Sequence, residues 1–577
     1  MPYAAPLADM RFTIDTVAGL SGEAAEVSDA ILDQAAKFAA GELDPLNQPA
    51  DRIGSILENG VVRTPPGFRE AYRHYVEAGW MGLSCDPEHG GQGLPLALAT
   101  PVVEMWNSAC MSWALCPLLN AGAIDLLAAH GSPEQQRLYL EKLVSGEWTG
   151  TMNLTEPQAG SDLGALRTRA VPRSDPRWGE HYRISGQKIF ITYGDHDLCD
   201  NIVHMVLART PDAPPGSRGI SLFLVPKFLP DGEGKPGERN DLRPLRLEEK
   251  LGIHASPTCV MSYGEDEGAI GWRIGEENRG LECMFTMMNT ERLGVGVQGL
   301  AIAERAYQQA RDYARTRVQG RPVGMPSSVA TPPIVHHPDV RRMLLSMRAA
   351  TEAMRALAYF AAAAIDASRE AEGAGQFKAQ RRADLLIPVV KAWCTDLGIE
   401  VASTGIQVHG GMGYIEETGA AQYLRDARIA PIYEGTNGIQ ANDLVGRKLG
   451  RDQGEAAREL IAEMRATLGE LDGFDAIQAP LKSGIEALGQ ATEYLVGAEP
   501  ALAAAGSAPY LALFGTVSSG WLMARLALAA RQRTGDFAAA KLATARFYAE
   551  HFIARAPAYL PAITGGATIV DFDPDWL

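Results

Sequence analysis

Nowhere in its 577 residues does the sequence hold an uninterrupted apolar run of the ~18–20 residues that a membrane-spanning helix needs. The nearest approach, Tyr510 to Ala530, is broken by Ser518, Ser519, Gly520 and Arg525 and reads as a buried helix of a soluble fold, so no transmembrane segment is expected. The first residues, MPYAAPLADMRFTI, lack both a basic n-region and an apolar h-region; no secretory signal is expected, and the location is expected to be cytoplasmic. Cysteine is sparse. Cys85, Cys110, Cys116, Cys199, Cys259, Cys283 and Cys394 are scattered, odd in number and free of any CxxC pair, which suits a reducing compartment and gives no structural zinc site. Basic residues are outnumbered, 53 against 70 acidic ones, and the net charge of −17 argues against nucleic-acid binding. It leaves room for a local basic pocket around a phosphorylated ligand. No GxGxxG follows a strand-like run, so a nicotinamide-binding Rossmann domain is not supported. His336 and His337 are neighbours whose side chains diverge on any regular element, with no third ligand type at metal spacing; no metal is expected.

What is present is a globular composition, 46% apolar and 21% charged, on a chain long enough for several domains. The first third has helical character. AGAIDLLAAHGSPEQQRLYLEKLVSGEW is one example, with apolar residues at Ile124, Leu127, Leu138 and Leu143, Ser132 as a cap and Pro133 in the first turn. GWMGLSCDPEHGGQGLP is a glycine-rich loop. From about Gly150 to Gly275 the pattern changes to strands. HYRISGQKIFIT predicts a hairpin turning at Ser185-Gly186; NIVHMVLAR, GISLFLVPK and TCVMSYGE predict further strands of an antiparallel barrel or sandwich. Helical period returns after Glu282, through Val297, Leu300, Ala303, Tyr307, Ala310 and Ala314. Two more long helices follow, in HPDVRRMLLSMRAATEAMRALAYFAAAAIDA and in ADLLIPVVKAWCTDLGIEVASTGIQVHGG, the second ending at its glycines. Such helices predict a bundle. An alanine-rich helical segment occupies the chain beyond Gly450. The domains are read as an N-terminal helical domain with extension over 1–150, a middle β-domain over 151–275, a helical bundle over 276–450 and an additional helical domain over 451–577.

Four motifs stand in order along this frame: PEHGGQG near the N-terminus, TEPQAGSD at Thr155 to Asp162, QVHGGMG at Gln407 to Gly413, and YLRDARIAPIYEGTNGIQ at Tyr423 to Gln440. Read alone, TEPQAGSD is a set of turn residues and Glu434, in IAPIYEGTNG, a loop carboxylate beside a glycine that permits a sharp turn. Together the motifs resemble the acyl-CoA dehydrogenase family, over roughly residues 80 to 450. The extended N-terminus and the tail resemble the longer bacterial branch of that family, which includes 3-methylmercaptopropionyl-CoA dehydrogenases. The resemblance implies a mainly α fold with a middle β-domain: helical domain, β-barrel or sandwich, four-helix bundle, and here a further C-terminal helical domain.

The resemblance also implies chemistry. FAD is the implied cofactor, an acyl-CoA the substrate, a trans-2-enoyl-CoA the product, and an electron-transferring flavoprotein the acceptor. Glu434 corresponds to the base that removes the α-proton, a task that needs an aimed carboxylate and stabilisation of the developing enolate. Glu291, in MNTERLG, is the rival base, since members with the base on a helix carry it there; otherwise it reads as a charge in the first turn of a helix. Met152, Leu154, Thr155, Gly160 and Ser161, with Phe190 and Thr192, correspond to the isoalloxazine site. The family often has an aromatic residue at Met152 and a tryptophan at Phe190; Phe190 can still cover the ring, whereas Met152 cannot hydrogen-bond as a tyrosine would. Arg317 corresponds to the arginine that pairs with FAD phosphate across a subunit interface, a role that suits a guanidinium. The family usually has one more residue between Gln319 and Gly320, which alters the phosphate contacts around Gln319. Gln407, Gly410 and Gly411 correspond to the strip meeting the adenosine half from the partner subunit, and Thr436 to a hydroxyl touching FAD. A homo-oligomer, in the first place a dimer, is therefore expected. Ser161, Asn289, Arg292, Tyr433 and Gly435 are the substrate-side candidates, and Met284, Met287 and Met288 are either core or acyl-pocket residues. His409 reads as structural. An oxygen-using acyl-CoA oxidase and a catalytically silent flavoprotein scaffold remain as alternatives.

Overall fold

Strand-forming residues between Trp148 and Ile274 build one eight-stranded sheet in the computed structural model, which describes residues 2–231 and 233–576. In chain order the strands are β1 (Trp148–Asn153), β2 (Arg169–Asp175), β3 (Gly179–Thr192), β4 (Asn201–Ala208), β5 (Ser221–Pro226), β6 (Leu242–Leu247), β7 (Thr258–Tyr263) and β8 (Ala269–Ile274). Their order in the sheet is β6-β7-β3-β8-β5-β4-β1, with β2 added on β3. The sheet belongs to a unit formed by residues 41–94 and 110–291. β4 and β5 are buried along their whole length, which is why NIVHMVLA and SLFLVP read as continuous apolar runs rather than alternating ones. Ile184, Ile191, Val206, Phe223, Val225, Met261 and Tyr263 are part of the core of this unit.

The sheet departs from the sequence expectations in two ways. The sheet is not wholly antiparallel: β1 and β4 run parallel, Trp148 opposite Asn201 and Asn153 opposite Val206. The β2–β3 excursion between them supplies the long crossover that parallel pairing requires. Nor do Ser185 and Gly186 form a hairpin turn; both lie inside the fourteen-residue strand β3. Before this point β3 pairs with β2 and β8, and from Gly186 onward with β7. Gly186 has φ +152°, and a Cβ there would meet Thr168 Oγ1 at 2.5 Å. The glycine thus serves a change of neighbour along one strand and not a reversal of the chain.

Residues 1–40, 95–109 and 292–577 form the second, helical unit. Its long helices include Pro338–Glu370, Gly373–His409 and Ser507–Arg531. The helix Gly280–Thr316 begins in the sheet unit and continues into this one from Arg292. Its stretch GVGVQG spells GxGxxG in mid-helix, where the pattern has a packing role. A Cβ on Gly296 would meet Val390 Cγ1 at 2.5 Å and one on Gly299 would meet the Cys394 carbonyl at 2.4 Å, so glycine lets the helix Gly373–His409 approach at backbone distance. Asp366 receives the N–H groups of Leu96 and Ala97, both at 2.8 Å, capping the start of the helix Leu96–His130. That helix is broken at Cys110, whose φ and ψ of −155° and 87° are not helical. Among the described residues, Leu96–His130 and Ser507–Arg531 are long and apolar enough to cross a membrane, and most of each one's apolar stretch is buried inside the fold. The residues beyond Gly450 belong to the same unit as the bundle.

A buried charge network fastens this helical unit. The Arg355 guanidinium donates to Glu104 Oε1 at 2.6 Å, Asp9 Oδ2 at 2.6 Å and Glu304 Oε2 at 2.7 Å. Tyr359 donates to the second oxygen of Glu104 at 2.6 Å. Lys541, in the tail helix Asp536–His551, pairs with Asp9 and lies 3.0 Å from Glu352 Oε2, which also accepts from Thr544 at 2.8 Å. N-terminal segment, bundle and tail are therefore joined through desolvated ion pairs.

Candidate active site

The sheet unit carries the residues expected around a flavin on one connected stretch. β1 brings Met152 to its end, half-buried, and the chain continues through Leu154 into the TEPQAGSD loop. That loop is hydrogen-bonded to β3: Ile189 N–H donates to the Thr155 carbonyl at 2.9 Å, and the Thr151 hydroxyl donates to the Thr192 carbonyl at 2.7 Å. These two bonds join the end of β1 and the start of the loop to the Ile189–Thr192 stretch of β3. Gly160 and Ser161 are exposed, and no atom lies within 4 Å of where a Gly160 Cβ would be. Phe190 is the unusual member. It is 60% exposed and holds a left-handed backbone, φ +60°, which costs a bulky residue roughly 1–3 kcal/mol. An exposed aromatic ring held in that way, on a stretch whose Ile189 N–H bonds to the Thr155 carbonyl, suits a planar apolar ring with polar edges. On these grounds the residues fit an isoalloxazine.

What holds this loop was not visible as a motif. Glu156 and Lys188 are both buried and lie 2.8 Å apart. Glu156 also accepts from the N–H groups of Arg167 and Thr168 at 2.6 and 3.0 Å and from the Thr168 hydroxyl at 2.6 Å. Lys188 also donates to the Leu154 carbonyl at 2.9 Å. Burial would raise the Glu156 pKa, but Lys188 and these donors hold it down at about 2. A carboxylate whose folded pKa lies below its ordinary 4.5 stabilises the fold above that value, and the stabilisation is lost as pH falls toward 2. Lys188→Met, which strands the buried carboxylate, is expected to cost ~3–5 kcal/mol of stability and to lower flavin content. Chemical denaturation and flavin absorbance per chain measure both, and unchanged flavin content would show that the pair does not position the loop.

Further along this unit, Asn289 is half-buried and Met284, Met287 and Met288 are buried on the helix Gly280–Thr316. Glu291 departs from the expectation of a first-turn surface charge. It lies well inside the helix, fully buried, beside Gly122, where an added Cβ would come within 3.2 Å of Glu291 Oε1.

In the helical unit, Glu434 occupies a turn of two successive left-handed residues, φ +58° at Glu434 and +81° at Gly435. Glycine accepts this conformation freely and glutamate does not. Side chains fix the turn. Gln440 Nε2 donates to the Glu434 carbonyl at 3.0 Å and to the Gly435 carbonyl at 3.3 Å, and Lys391 Nζ donates to the Gly435 carbonyl at 2.8 Å. The turn passes directly into the helix Asn437–Asn442, capped by Thr436, whose hydroxyl accepts from Ile439 N–H at 3.3 Å and keeps its own proton to donate. Glu434, Gly435 and Thr436 are half-buried, and the Tyr433 hydroxyl bonds to Gln298. Arg292 is buried, 3.6 Å from Asp443, with its guanidinium against Gly435.

The remaining expected residues are on the surface of this unit. Arg317 is exposed just past its helix and reaches the Gln319 side chain at 3.4 Å. Gln407, Gly410 and Gly411 are exposed, and no atom lies within 4 Å of an added Cβ at either glycine. Met412, Tyr414 and Ile415 beside them are exposed apolar residues, Tyr414 at 84%. His409 is buried, bonded to the Gly405 carbonyl at 2.7 Å and stacked on Tyr313, a structural placement. Among the described residues no cluster of His, Cys, Asp and Glu could hold a metal ion.

Comparison with known proteins gives matches along most of the chain. Residues 25–147, 151–264 and 278–449 match the N-terminal, middle and C-terminal domains of acyl-CoA dehydrogenase, and 460–573 match an acetyl-CoA dehydrogenase C-terminal-like domain. The 3-methylmercaptopropionyl-CoA dehydrogenase of Ruegeria pomeroyi is 48% identical, over 98% of this chain and 98% of its own length. The broad-specificity linear acyl-CoA dehydrogenase FadE5 of Mycobacterium tuberculosis is 34% identical over 88% of this chain and 86% of its own. The fold is shared with Caenorhabditis elegans ACDH-11 in complex with C11-CoA, TM-score 0.78 at 22% identity over 99% of this chain and 96% of that one. It is also shared with an acyl-CoA dehydrogenase complexed with FAD from Bacillus anthracis, TM-score 0.75 at 20% identity over 98% and 92%.

Proposed function

This chain belongs to the acyl-CoA dehydrogenase family, and on that premise we propose that it oxidises an acyl-CoA to its trans-2-enoyl-CoA with Glu434 as the base that takes the α-proton. The observation that carries the base assignment is the Glu434–Gly435 turn. Glu434 holds a strained left-handed backbone before the freely left-handed Gly435, and buried side-chain donors tie both carbonyls, fixing the turn that carries the carboxylate the chemistry needs. FAD, when bound, supplies the acceptor for the β-hydride. Met152, Leu154, Thr155, Gly160, Ser161, Phe190 and Thr192 are proposed to orient its ring, and the Thr436 hydroxyl to donate to it. The Glu434 backbone N–H is proposed to polarise the thioester carbonyl, lowering the pKa of the α-carbon. Electrons are proposed to leave to an electron-transferring flavoprotein.

For substrate, the proposal is a short thioether acyl chain, the 3-methylmercaptopropionyl thioester, supported by the Ruegeria relative that aligns over nearly all of both chains. Anaerobic flavin bleaching against a panel of acyl-CoAs tests it. The 3-methylmercaptopropionyl thioester should give the highest kcat/KM; a clear preference for long straight chains would overturn that choice.

Arg317, Gln319, Gln407, Gly410 and Gly411 are proposed to serve the flavin of a partner subunit in a homodimer. Exposed Met412, Tyr414 and Ile415, next to two glycines with open space above them, support a surface that a second copy covers. Tyr414→Asp should shift the protein toward monomer in sedimentation and lower flavin per chain. A flavin-replete, fully active monomer would contradict the arrangement.

A further inference from the structure

Of the charged groups beside the Glu434 turn, Lys391 has so far been given only its hydrogen bond to the Gly435 carbonyl. Lys391 lies on the helix Gly373–His409 in the run IPVVKAW and is fully buried. Its ammonium donates to the Gly435 carbonyl at 2.8 Å and to Asn437 Oδ1 at 2.9 Å. Asn437 is held in turn through its own amide, which donates to Asp396 at 2.7 Å and to the Ala392 carbonyl at 3.1 Å. Burying an ammonium is costly, and a neutral donor would have satisfied the same two acceptors. The charge itself therefore calls for an explanation.

The charges that act on Lys391 are few. Glu434 on the turn and Asp396 on its own helix favour the cation, and Arg292, paired with Asp443, opposes it. Burial is the largest influence and brings the lysine down to about 7. The lysine thus stands within the field of two carboxylates, Glu434 and Asp396, and bonds to the carbonyl of the residue after Glu434, at a place where backbone approach is set by Gly296 and Gly299 packing on this helix.

We propose that Lys391 is a positioning residue for Glu434: it pins the left-handed turn through the Gly435 carbonyl, and its positive charge holds the Glu434 side chain in the carboxylate form that can accept a proton. The inference rests on Glu434 being the base. Once Glu434 has taken the α-proton, the interaction with Lys391 weakens, so the lysine favours return of the carboxylate when the proton leaves.

The test is the pH profile of kcat, whose acid limb reports the base in the substrate complex. Lys391→Gln keeps a donor and removes the charge; the acid limb should move up by about one unit or more. Lys391→Arg keeps the charge; its turnover falls, but its acid limb should stay at the wild-type position. Gln440→Leu, which loosens the same turn without changing charge, should lower kcat and leave the limb in place. A Lys391→Gln limb that overlays the wild type overturns the proposal. So does the failure of both Lys391→Gln and Lys391→Met to fold while Lys391→Arg folds, because the lysine is then purely structural. Glu434→Gln is measured alongside. If it stays active, the base assignment itself falls; if it is inactive and the Lys391→Gln limb is unmoved, only the present inference falls.

Discussion

Glu434→Gln should give a folded, flavin-containing protein whose acyl-CoA oxidation is slower by about 10³-fold or more, near the upper range for loss of general base catalysis. The substitution is nearly isosteric, and the contacts that hold the turn involve the main-chain carbonyls of Glu434 and Gly435, which glutamine leaves intact. The loss should therefore fall on the chemical step, with acyl-CoA binding close to wild type. Glu291→Gln is the matched control. Glu291 is fully buried against Gly122, so its substitution is expected to act through packing and to change kcat only a few-fold. Measured kcat and KM for the two variants, with flavin content as the folding check, separate the candidates.

Arg355→Met should be the most destabilising single substitution in the helical unit. The guanidinium is 1% exposed in its side chain and reaches carboxylates on three different segments, Asp9, Glu104 and Glu304. Removing one partner of a buried pair costs ~3–5 kcal/mol because the other charge is left desolvated, and here three carboxylates lose a shared cation. Tyr359 and Lys541 still partner Glu104 and Asp9 but cannot replace a fork that serves all three. The unfolding midpoint in urea should fall accordingly. Adding Glu104→Gln and Glu304→Gln to Arg355→Met should recover part of the loss, since the stranded charges are then gone. A midpoint within experimental error of wild type for Arg355→Met would show that the network is solvated in solution.

Features set by short-range pattern were legible in the sequence. The runs NIVHMVLA, SLFLVP and TCVMSY became β4, β5 and β7, and the helix through IQVH stops at Gly410. Ser132 and Gln135 form a reciprocal cap where Ser132 and Pro133 predicted a helix start. The family and its fold were legible from four motifs in order. What was not legible depends on partners far along the chain. Lys391 in an apolar helical run looks like any lysine with a snorkelling stem, because its acceptors Gly435 and Asn437 lie 44 and 46 residues later. Glu156 looked like one more turn residue because Lys188 is 32 residues away. Arg355 finds its carboxylates at separations of 51, 251 and 346 residues. Gly186 misleads for a related reason: Ser-Gly inside an alternating run is a local turn signal, but the glycine is needed because Thr168 fills the space a Cβ would take. Phe190 and Glu434 share a property that sequence does not display, a left-handed backbone at a bulky residue.

Which glutamate takes the α-proton is decided by anaerobic single-turnover bleaching of the bound flavin by an acyl-CoA carrying deuterium in place of both α-hydrogens, compared with the undeuterated substrate, in wild type, Glu434→Gln and Glu291→Gln. Bleaching should be slower with deuterium in the wild type and in Glu291→Gln, and almost absent in Glu434→Gln with either substrate. Full-rate, isotope-sensitive bleaching in Glu434→Gln, together with its loss in Glu291→Gln, would make Glu291 the base instead.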